Sequence, residues 1–211
     1  MPKVKLVLQR DYKQNDIKQC ALRFWRKNWK KMCDIHFKGP NVMITGTPGT
    51  GKTTLCSQLV EQTGLNLISI GELAKDNNFY GEYDSELQSY ELDEDKVIDE
   101  IDECMKEGGN VVDYHGCDFF PERWFDAVFV LRTDNTVLYE RLEKRNYSQR
   151  KIQENVQCEI MRVVLDEALD SYKSEIVYEL ESDTPDHMEQ NLATIKNWIE
   201  KWKSEHRQIL E

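Results

Sequence analysis

The sequence of 211 residues has no apolar run that approaches the roughly 20 residues a membrane-spanning helix needs. Its first residues are polar and charged where a secretory signal would place an apolar segment. It also has no internal repeat and no low-complexity linker. These absences lead us to expect one folded domain in a soluble, intracellular protein.

The six cysteines lack the spacing of a zinc site or a redox motif. They lie far apart, with no C-x-x-C pair and no histidines at zinc-ligand spacing: Cys20, Cys33, Cys56, Cys104, Cys117 and Cys158. Free cysteine behaves as a small apolar residue in intracellular domains. We expect these thiols to be reduced and mostly buried.

Negative charge dominates, with a net charge of −11, but it is unevenly distributed. The first 40 residues contain 11 Lys and Arg against 3 Asp and Glu, whereas the remaining 171 contain 17 against 36. The head therefore carries about +8 and the body about −19. An acidic body argues against broad, non-specific nucleic-acid binding by the main domain.

The basic head contains a candidate amphipathic helix within residues 15–33. Its apolar residues are spaced by three, four and three positions, with Lys and Arg on the other faces: Leu22, Trp25, Trp29 and Met32. Such a helix could dock on RNA or lipid. A transit peptide, or a solvated or disordered tail, would fit the composition too. We treat residues 1–39 as an extension that precedes a main domain at 40–211.

Five short apolar runs recur along the main domain and alternate with charged segments of helical spacing. The runs are NVMIT (41–45), NLISI (66–70), NVVD (110–113), AVFVL (127–131) and IVYEL (176–180). Helical patterns begin at Lys52, span residues 92–109, and run from Met188 to His206. This alternation predicts an α/β three-layer fold with a five-stranded parallel sheet covered on both faces.

The stretch GTPGTGKTT (46–54) fits G-x-x-x-x-G-K-[ST] and lies between the first predicted strand and a helix. Glycines at Gly46 and Gly51 let backbone N–H groups turn inward around a polyphosphate at the helix N-terminus. We expect Lys52 to reach the β- and γ-phosphates of ATP and the Thr53 hydroxyl to ligate Mg²⁺. Thr54 would contact the α-phosphate.

Two side chains beside the next strand could complete this site. Asp113 ends the run NVVD and suits a Mg²⁺ ligand, directly or through water. His115 could orient a water molecule or a phosphoryl acceptor. Both also have ordinary explanations, because acids often end strands for solubility and a lone histidine is often structural.

Arginines best indicate whether the γ-phosphoryl group goes to water or to a bound acceptor, because transfer needs guanidinium groups that close over the spread charge of the transition state. Arg132 follows a strand, Arg141 and Arg145 are predicted one turn apart on one helix face, and Arg150 lies just beyond. We interpret this segment as a lid. A solvated helix that pairs these arginines with Glu140 and Glu143 is the alternative.

Several stretches together resemble the adenylate kinase isoenzyme 6 family, from about residue 40 to the C-terminus. They are GTPGTGKTT, ISIGELA, LDEDKVIDE, VVDYHGCDFFPERWFDAVFVLRTD, VLYERLEKRNY and NVQCEI. The resemblance implies a small nucleoside-monophosphate kinase of nucleus and cytoplasm that also hydrolyses ATP and assists late maturation of the small ribosomal subunit. It further implies binding to a ribosomal protein of that subunit.

The resemblance also assigns residues. It implies that ATP is bound by Gly49, Gly51, Lys52, Thr53, Thr54 and Arg145. Residues 69–92, with Gly71 and Lys75, would form the monophosphate-binding flap, and residues 145–155 a short lid. The chain departs from the family at Lys75, where arginine is usual, because an ammonium cannot form the two-pronged contact of a guanidinium with phosphate. The basic head is a second departure: it is either a lineage-specific extension, or translation starts later, for instance at Met32.

These observations predict transfer of the γ-phosphoryl group of Mg·ATP to a monophosphate, with AMP as the first candidate. An assembly ATPase that grips a ribosomal protein, with residual kinase activity, is a second hypothesis, and a small-metabolite kinase is a third. Monomer and homodimer both remain open.

Overall fold

The computed structural model describes residues 39–84 and 89–206. The strands are β1 (Val42–Gly46), β2 (Asn66–Ser69), β3 (Tyr80–Asp84), β4 (Ser89–Leu92), β5 (Asn110–Asp113), β6 (Ala127–Arg132) and β7 (Val177–Glu181). The α-helices are α1 (Lys52–Thr63), α2 (Ile70–Asn77), α3 (Glu94–Glu107), α4 (Asn135–Lys144), α5 (Gln149–Ile160), α6 (Val163–Ser171) and α7 (Pro185–Glu205). Short 3₁₀ turns span Glu122–Trp124 and Ser174–Ile176. The amphipathic helix predicted within residues 15–33 lies outside the described residues.

Five strands form one parallel sheet in the order β2-β5-β1-β6-β7. All five predicted runs form these strands, so the predicted fold class is confirmed. Four of the five runs differ from the strands by one residue at one or both ends, and Ile70, for example, begins α2 instead of ending β2. The central position of β1 places the glycine-rich loop that follows it between the ends of β5 and β6.

The central strands β1, β5 and β6 are buried on both faces, which explains why they are almost continuously apolar. On one face, α1 and α7 pack against β1, β5 and β6 in the main core, which contains Leu55, Leu59, Ile195 and Ile199. Alternate strand residues point the other way, and Met43, Val128 and Val130 are also fully buried there. Helix α6 contacts β1, β6 and β7.

Helix ends follow the local sequence signals. The Asp93 side chain accepts a hydrogen bond from the backbone N–H of Lys96 and caps α3, which ends at Glu107 before a pair of glycines. Thr184 caps α7 in the same way through the N–H of His187. This cap, with Pro185 in the first turn, starts α7 three residues before the predicted Met188.

An antiparallel hairpin formed by β3 and β4 was not predicted. It forms a separate two-stranded sheet within the segment assigned to the monophosphate-binding flap. The rings of Tyr80 and Tyr90 lie 5.5 Å apart. The sequence signal is weak because glycine and acidic residues interrupt the alternation of this run.

The described cysteines match the prediction in most respects. Cys56, Cys104 and Cys117 are buried, Cys158 is exposed, and none of the four forms a disulfide. Among the described residues, no helix is both long and apolar enough to cross a membrane.

Phe129 anchors the main core, and its truncation should be costly. It is 1% exposed, stacks on Tyr178 at 5.1 Å and meets the edge of Trp198 at 6.0 Å. We expect Phe129→Ala to lower the free energy of unfolding by about 3–5 kcal/mol, because it removes a buried ring and leaves a cavity. Urea unfolding followed by circular dichroism measures this change.

Leu169→Ala is the control, because Leu169 is 44% exposed. We expect its effect on unfolding to stay within about 0.5 kcal/mol. A Phe129→Ala loss as small as this would contradict the assigned core.

Candidate functional site

The glycine-rich loop between β1 and α1 has the backbone that the motif predicts. Gly46 and Gly49 adopt φ angles of +141° and +102°, in the region that favours glycine. Space excludes larger residues as well, because a Cβ on Gly46 would lie 2.5 Å from the carbonyl oxygen of Leu131. A Cβ on Gly49 would lie 2.9 Å from a methyl group of Leu138. Strand β6 and helix α4 therefore leave no room for a side chain at these two positions of the loop.

Lys52, the first residue of α1, points back into this loop. Its Nζ donates hydrogen bonds to the carbonyl oxygens of Gly46 and Thr47 at 2.7 and 3.1 Å. Burial lowers the pKa of Lys52 to about 8, although the nearby Asp113 carboxylate opposes the shift. The ammonium group is therefore charged at neutral pH, but it loses its proton more readily than an exposed lysine.

Thr53 and Asp113 are brought together as predicted. The Thr53 hydroxyl donates to a carboxylate oxygen of Asp113 at 2.8 Å. Asp113 ends β5 and is 6% exposed, and burial raises its pKa while the bond from Thr53 lowers it. A hydroxyl and a carboxylate beside a phosphate-binding loop are hard oxygen donors, so this pair fits a Mg²⁺ site.

His115 lies two residues beyond β5 and lines a cavity together with Lys52 and Thr53. Burial lowers its pKa to about 4, and the charge of Lys52 adds to the effect. The imidazole is therefore neutral at physiological pH and can accept a hydrogen bond from an attacking group. The Thr45 hydroxyl donates a hydrogen bond to the backbone carbonyl oxygen of His115 at 3.2 Å, and this bond fixes the turn after β5.

One cavity collects most of the predicted residues. Its lining consists of Pro48, Gly49, Gly51, Lys52, Thr53, Thr54, His115 and Arg145. Loop residues, a lysine, an arginine and two hydroxyls thus surround one space. Asp113 does not line it, but accepts the hydroxyl of Thr53, which does. Such a set can hold a polyphosphate with its metal ion and stabilise charge that develops on it.

The two central arginines of the predicted lid make different contacts. Helix α4 ends at Lys144, and Arg145 caps it one turn after Arg141. Of the two, only Arg145 is part of the cavity lining. Arg141 donates to the carbonyl oxygens of Ser182 and Asp183 at 2.8 and 2.9 Å, and its Nη1 lies 3.5 Å from the carbonyl oxygen of Gly49 in the phosphate loop. A joint action of both arginines on the phosphates stays a prediction.

Arg132 lies at the end of β6 and does not line the cavity. Its Nε donates to a carboxylate oxygen of Glu159 at 2.6 Å, and its Nη2 donates to the Glu159 carbonyl oxygen at 2.8 Å. These bonds engage its guanidinium group in a half-buried ion pair. Direct nucleotide binding by Arg132 stays a prediction that this arrangement does not favour.

Gly71 and Lys75 lie on α2, beside the unpredicted hairpin, and neither lines the cavity. Lys75 is exposed, and the Tyr80 hydroxyl donates to the carbonyl oxygen of Gly71 at 3.3 Å. Their assignment to the acceptor monophosphate stays a prediction.

Two residues that support the site were not predicted. The Ser182 hydroxyl donates to the carbonyl oxygen of Thr50 at 2.6 Å and so ties the end of β7 to the phosphate loop. Glu159 receives the Thr47 hydroxyl from the same loop. No local pattern marks Ser182, and Glu159 was indicated only by its place in the stretch NVQCEI.

A second group of possible metal ligands lies near the start of α7. Glu181, Asp183 and His187 place one ligand atom each within 4.8 Å of one another. Glu181 is 80% exposed, and Nδ1 of His187 accepts a hydrogen bond from the Asp183 N–H. These features are typical of an ordinary hydrogen-bonded surface group, and we assign it no metal.

Known proteins resemble both this fold and this sequence. Residues 42–162 match the family model described as AAA domain. The adenylate kinase isoenzyme 6 homolog of Dictyostelium discoideum is 55% identical over 163 residues, which cover 77% of this chain and 93% of the relative. The homolog of Drosophila melanogaster is 49% identical over 78% of this chain and 94% of its own length.

Among solved structures, a gluconokinase from Sinorhizobium meliloti shares the fold at a TM-score of 0.51 and 15% identity, covering 78% of this chain and 96% of that one. The residues that match the family model include the phosphate loop, the strand that ends at Asp113 and helices α4 and α5. The chain therefore belongs to the adenylate kinase isoenzyme 6 family of P-loop nucleotide kinases.

Proposed function

We propose that this protein transfers the γ-phosphoryl group of Mg·ATP to a nucleoside monophosphate, with AMP as the first candidate, and that it hydrolyses ATP in the absence of an acceptor. The observation that carries this proposal is the shared cavity. Lys52, Thr53 and Arg145 line it beside the loop that would hold the phosphates, and Asp113 contacts it through the Thr53 hydroxyl. The names of the relatives support the same chemistry.

The loop and the first turn of α1 would bind the triphosphate. Backbone N–H groups and the positive end of the helix favour an anion there. Lys52 would exchange its bonds to the loop carbonyls for bonds to the β- and γ-phosphates. Thr53 and Asp113 would hold Mg²⁺, partly through water, and the bound ion would neutralise charge on the phosphate oxygens.

Arg145 and His115 would act on the transferred group. The bond between the γ-phosphorus and its bridging oxygen breaks, and a bond forms to an oxygen of the acceptor phosphate. Arg145 would donate to the charge spread over the transferring oxygens. Neutral His115 would accept a hydrogen bond from an attacking water molecule, and its ring N–H would donate to an oxygen of an acceptor phosphate.

The acceptor would lie against the flap, residues 69–92. Its helix α2 carries Lys75 where the family usually has arginine, and Lys75 offers a point charge in place of a paired contact. We therefore expect a weaker hold on the acceptor phosphate than an arginine would give.

A coupled assay tests the kinase activity. The protein is mixed with Mg·ATP and AMP, CMP or dCMP, and ADP formation is followed with and without the acceptor. The proposal requires ADP formation faster than hydrolysis alone for at least one acceptor. No acceleration with any acceptor would refute the kinase activity and leave an ATPase.

A second proposed function is ATP-dependent assembly of the small ribosomal subunit in nucleus and cytoplasm. The acidic body, with 36 Asp and Glu against 17 Lys and Arg after residue 40, suits a basic ribosomal protein as partner. Affinity capture with the wild type and with Lys52→Ala, each with and without ATP, tests it. If neither protein retains a ribosomal protein, with or without ATP, the assembly role is refuted.

The lowered pKa of Lys52 predicts a pH dependence of ATP binding. Below about pH 8 the ammonium is charged in the free protein, and above that pH it loses its proton. Bound phosphates favour the charged form, so the Kd for ATP should rise above pH 8, by at most about tenfold per pH unit. Titration calorimetry with Mg·ATP from pH 7 to pH 9.5 measures this rise.

Lys52→Ala is the control for the pH series. This variant should bind ATP weakly at every pH of the series. Its Kd should lack the rise above pH 8 that loss of the lysine proton causes. An affinity of the wild type that stays constant to pH 9.5 would contradict the role of the buried ammonium.

Asp113→Asn tests the proposed metal site. An amide keeps the shape and the hydrogen bond to Thr53, but it lacks the charge that attracts a divalent cation. We expect the Mg²⁺ concentration for half-maximal ATP turnover to rise about tenfold to a hundredfold, as for other residues that support metal sites. Asp99→Asn, on the exposed face of α3, is the matched control and should leave that concentration unchanged. Equal values for the two variants would exclude Asp113 from the site.

A further inference from the structure

The buried carboxylate of Glu159 lies outside the cavity and connects separate segments of the chain near the phosphate loop. Glu159, in the last turn of α5, is 2% exposed. One of its carboxylate oxygens accepts the hydroxyl of Thr47 in the phosphate loop. The other accepts Arg132 Nε at 2.6 Å and the backbone N–H of Thr133 at 3.0 Å. Three separate parts of the chain therefore meet at one side chain.

The positions of these parts give the contact its meaning. Arg132 and Thr133 lie just before α4, and Glu159 lies at the end of α5. Helices α4 and α5 enclose the turn that carries Arg145, and they pack together through Leu138, Leu142 and Ile152. The Glu159 carboxylate thus links the segment before α4 and the end of α5 to the phosphate loop. We call α4 and α5, which flank the turn with Arg145, the lid helices.

Neither Thr47 nor Glu159 lines the cavity, so both act through the groups they hold. Thr47 is 1% exposed, and its hydroxyl is engaged by Glu159. A buried carboxylate is stable there because Arg132 neutralises it and hydrogen bonds satisfy both of its oxygens. Such a fully bonded group permits little freedom of movement.

We infer that Glu159 is a positioning residue: through Thr47 and Arg132 it fixes the two lid helices to the phosphate loop and thereby sets the position of Arg145 over that loop. The kinetic form of this inference rests on the proposed kinase function, whereas its structural form does not. A loosened lid should misplace Arg145 and admit water during transfer.

Thr47→Val is the sharpest variant, because it removes the hydroxyl donor and leaves the Arg132–Glu159 ion pair intact. We expect kcat for AMP phosphorylation to fall about tenfold to a hundredfold, as misplacement of a catalytic group implies. The KM for ATP should change by less than about threefold, because the cavity lining is untouched. The ratio of ATP hydrolysed to AMP phosphorylated should rise.

Glu159→Gln should shift the same ratio, and the double variant should be no worse than the more impaired single variant, because both changes break one linkage. Thr63→Val removes another threonine hydroxyl bond, to the carbonyl oxygen of Leu59 at the end of α1, and Glu100→Gln removes an exposed carboxylate of α3, far from the lid in the sequence. Both controls should retain the wild-type ratio. Wild-type ratios and kcat in folded Thr47→Val would overturn the inference.

Hydrogen exchange tests the linkage without any enzymatic activity. In Thr47→Val, amides of residues 145–155 should exchange faster while those of β1, β5 and β6 keep wild-type rates. Uniform acceleration would mean general destabilisation, and no change would mean that the contact does not hold the lid; either result would overturn the inference. If the wild type phosphorylates no monophosphate, the proposed function fails, and this experiment alone decides the inference.

Discussion

The pairing of β1 with β5 on one side and β6 on the other determines where every functional group lies. In this parallel register, Ile44 is opposite Asp113 and Gly46 is opposite Leu131. The carboxyl ends of the three strands therefore meet at one edge, and ligands of open α/β sheets bind at such an edge. The phosphate loop, the acid that ends β5 and the segment that leads from β6 into α4 are neighbours for this reason, although they are far apart in the sequence.

Burial at this edge also sets the charges of the site without any unusual chemistry. The same low-polarity surroundings ease the loss of a proton from Lys52 and keep His115 neutral. Asp113 is pulled towards its acid form by burial and towards its ionised form by Thr53 and Lys52. The three groups thus depend on one another, and a phosphate anion and a metal cation would change all of them together.

Much of this could be predicted from the sequence because local patterns carry it. The strands were visible as apolar runs, and the phosphate loop as fixed spacings of Gly46, Gly51 and Lys52. The pairing of Thr53 with Asp113 followed from the position of each beside a strand of one parallel sheet.

The remaining features could not be predicted because they depend on contacts between distant segments. Glu159 and Thr47 are 112 residues apart, and Ser182 and Thr50 are 132 apart. Arg141 differs from Arg145 in its contacts because Ser182 and Asp183, distant in the sequence, accept its hydrogen bonds. The hairpin was missed because its strands are short and polar, so that neither periodicity nor composition distinguishes them from a loop.

The hairpin formed by β3 and β4 shares no ladder with the main sheet among the described residues. A change in its length or side chains would therefore leave every backbone hydrogen bond of the five-stranded sheet in place. Under the proposed function, the site for the phosphoryl donor and the flap for the acceptor would therefore be structurally separate. Substitutions in the hairpin would then alter the acceptor without altering the site that holds the donor.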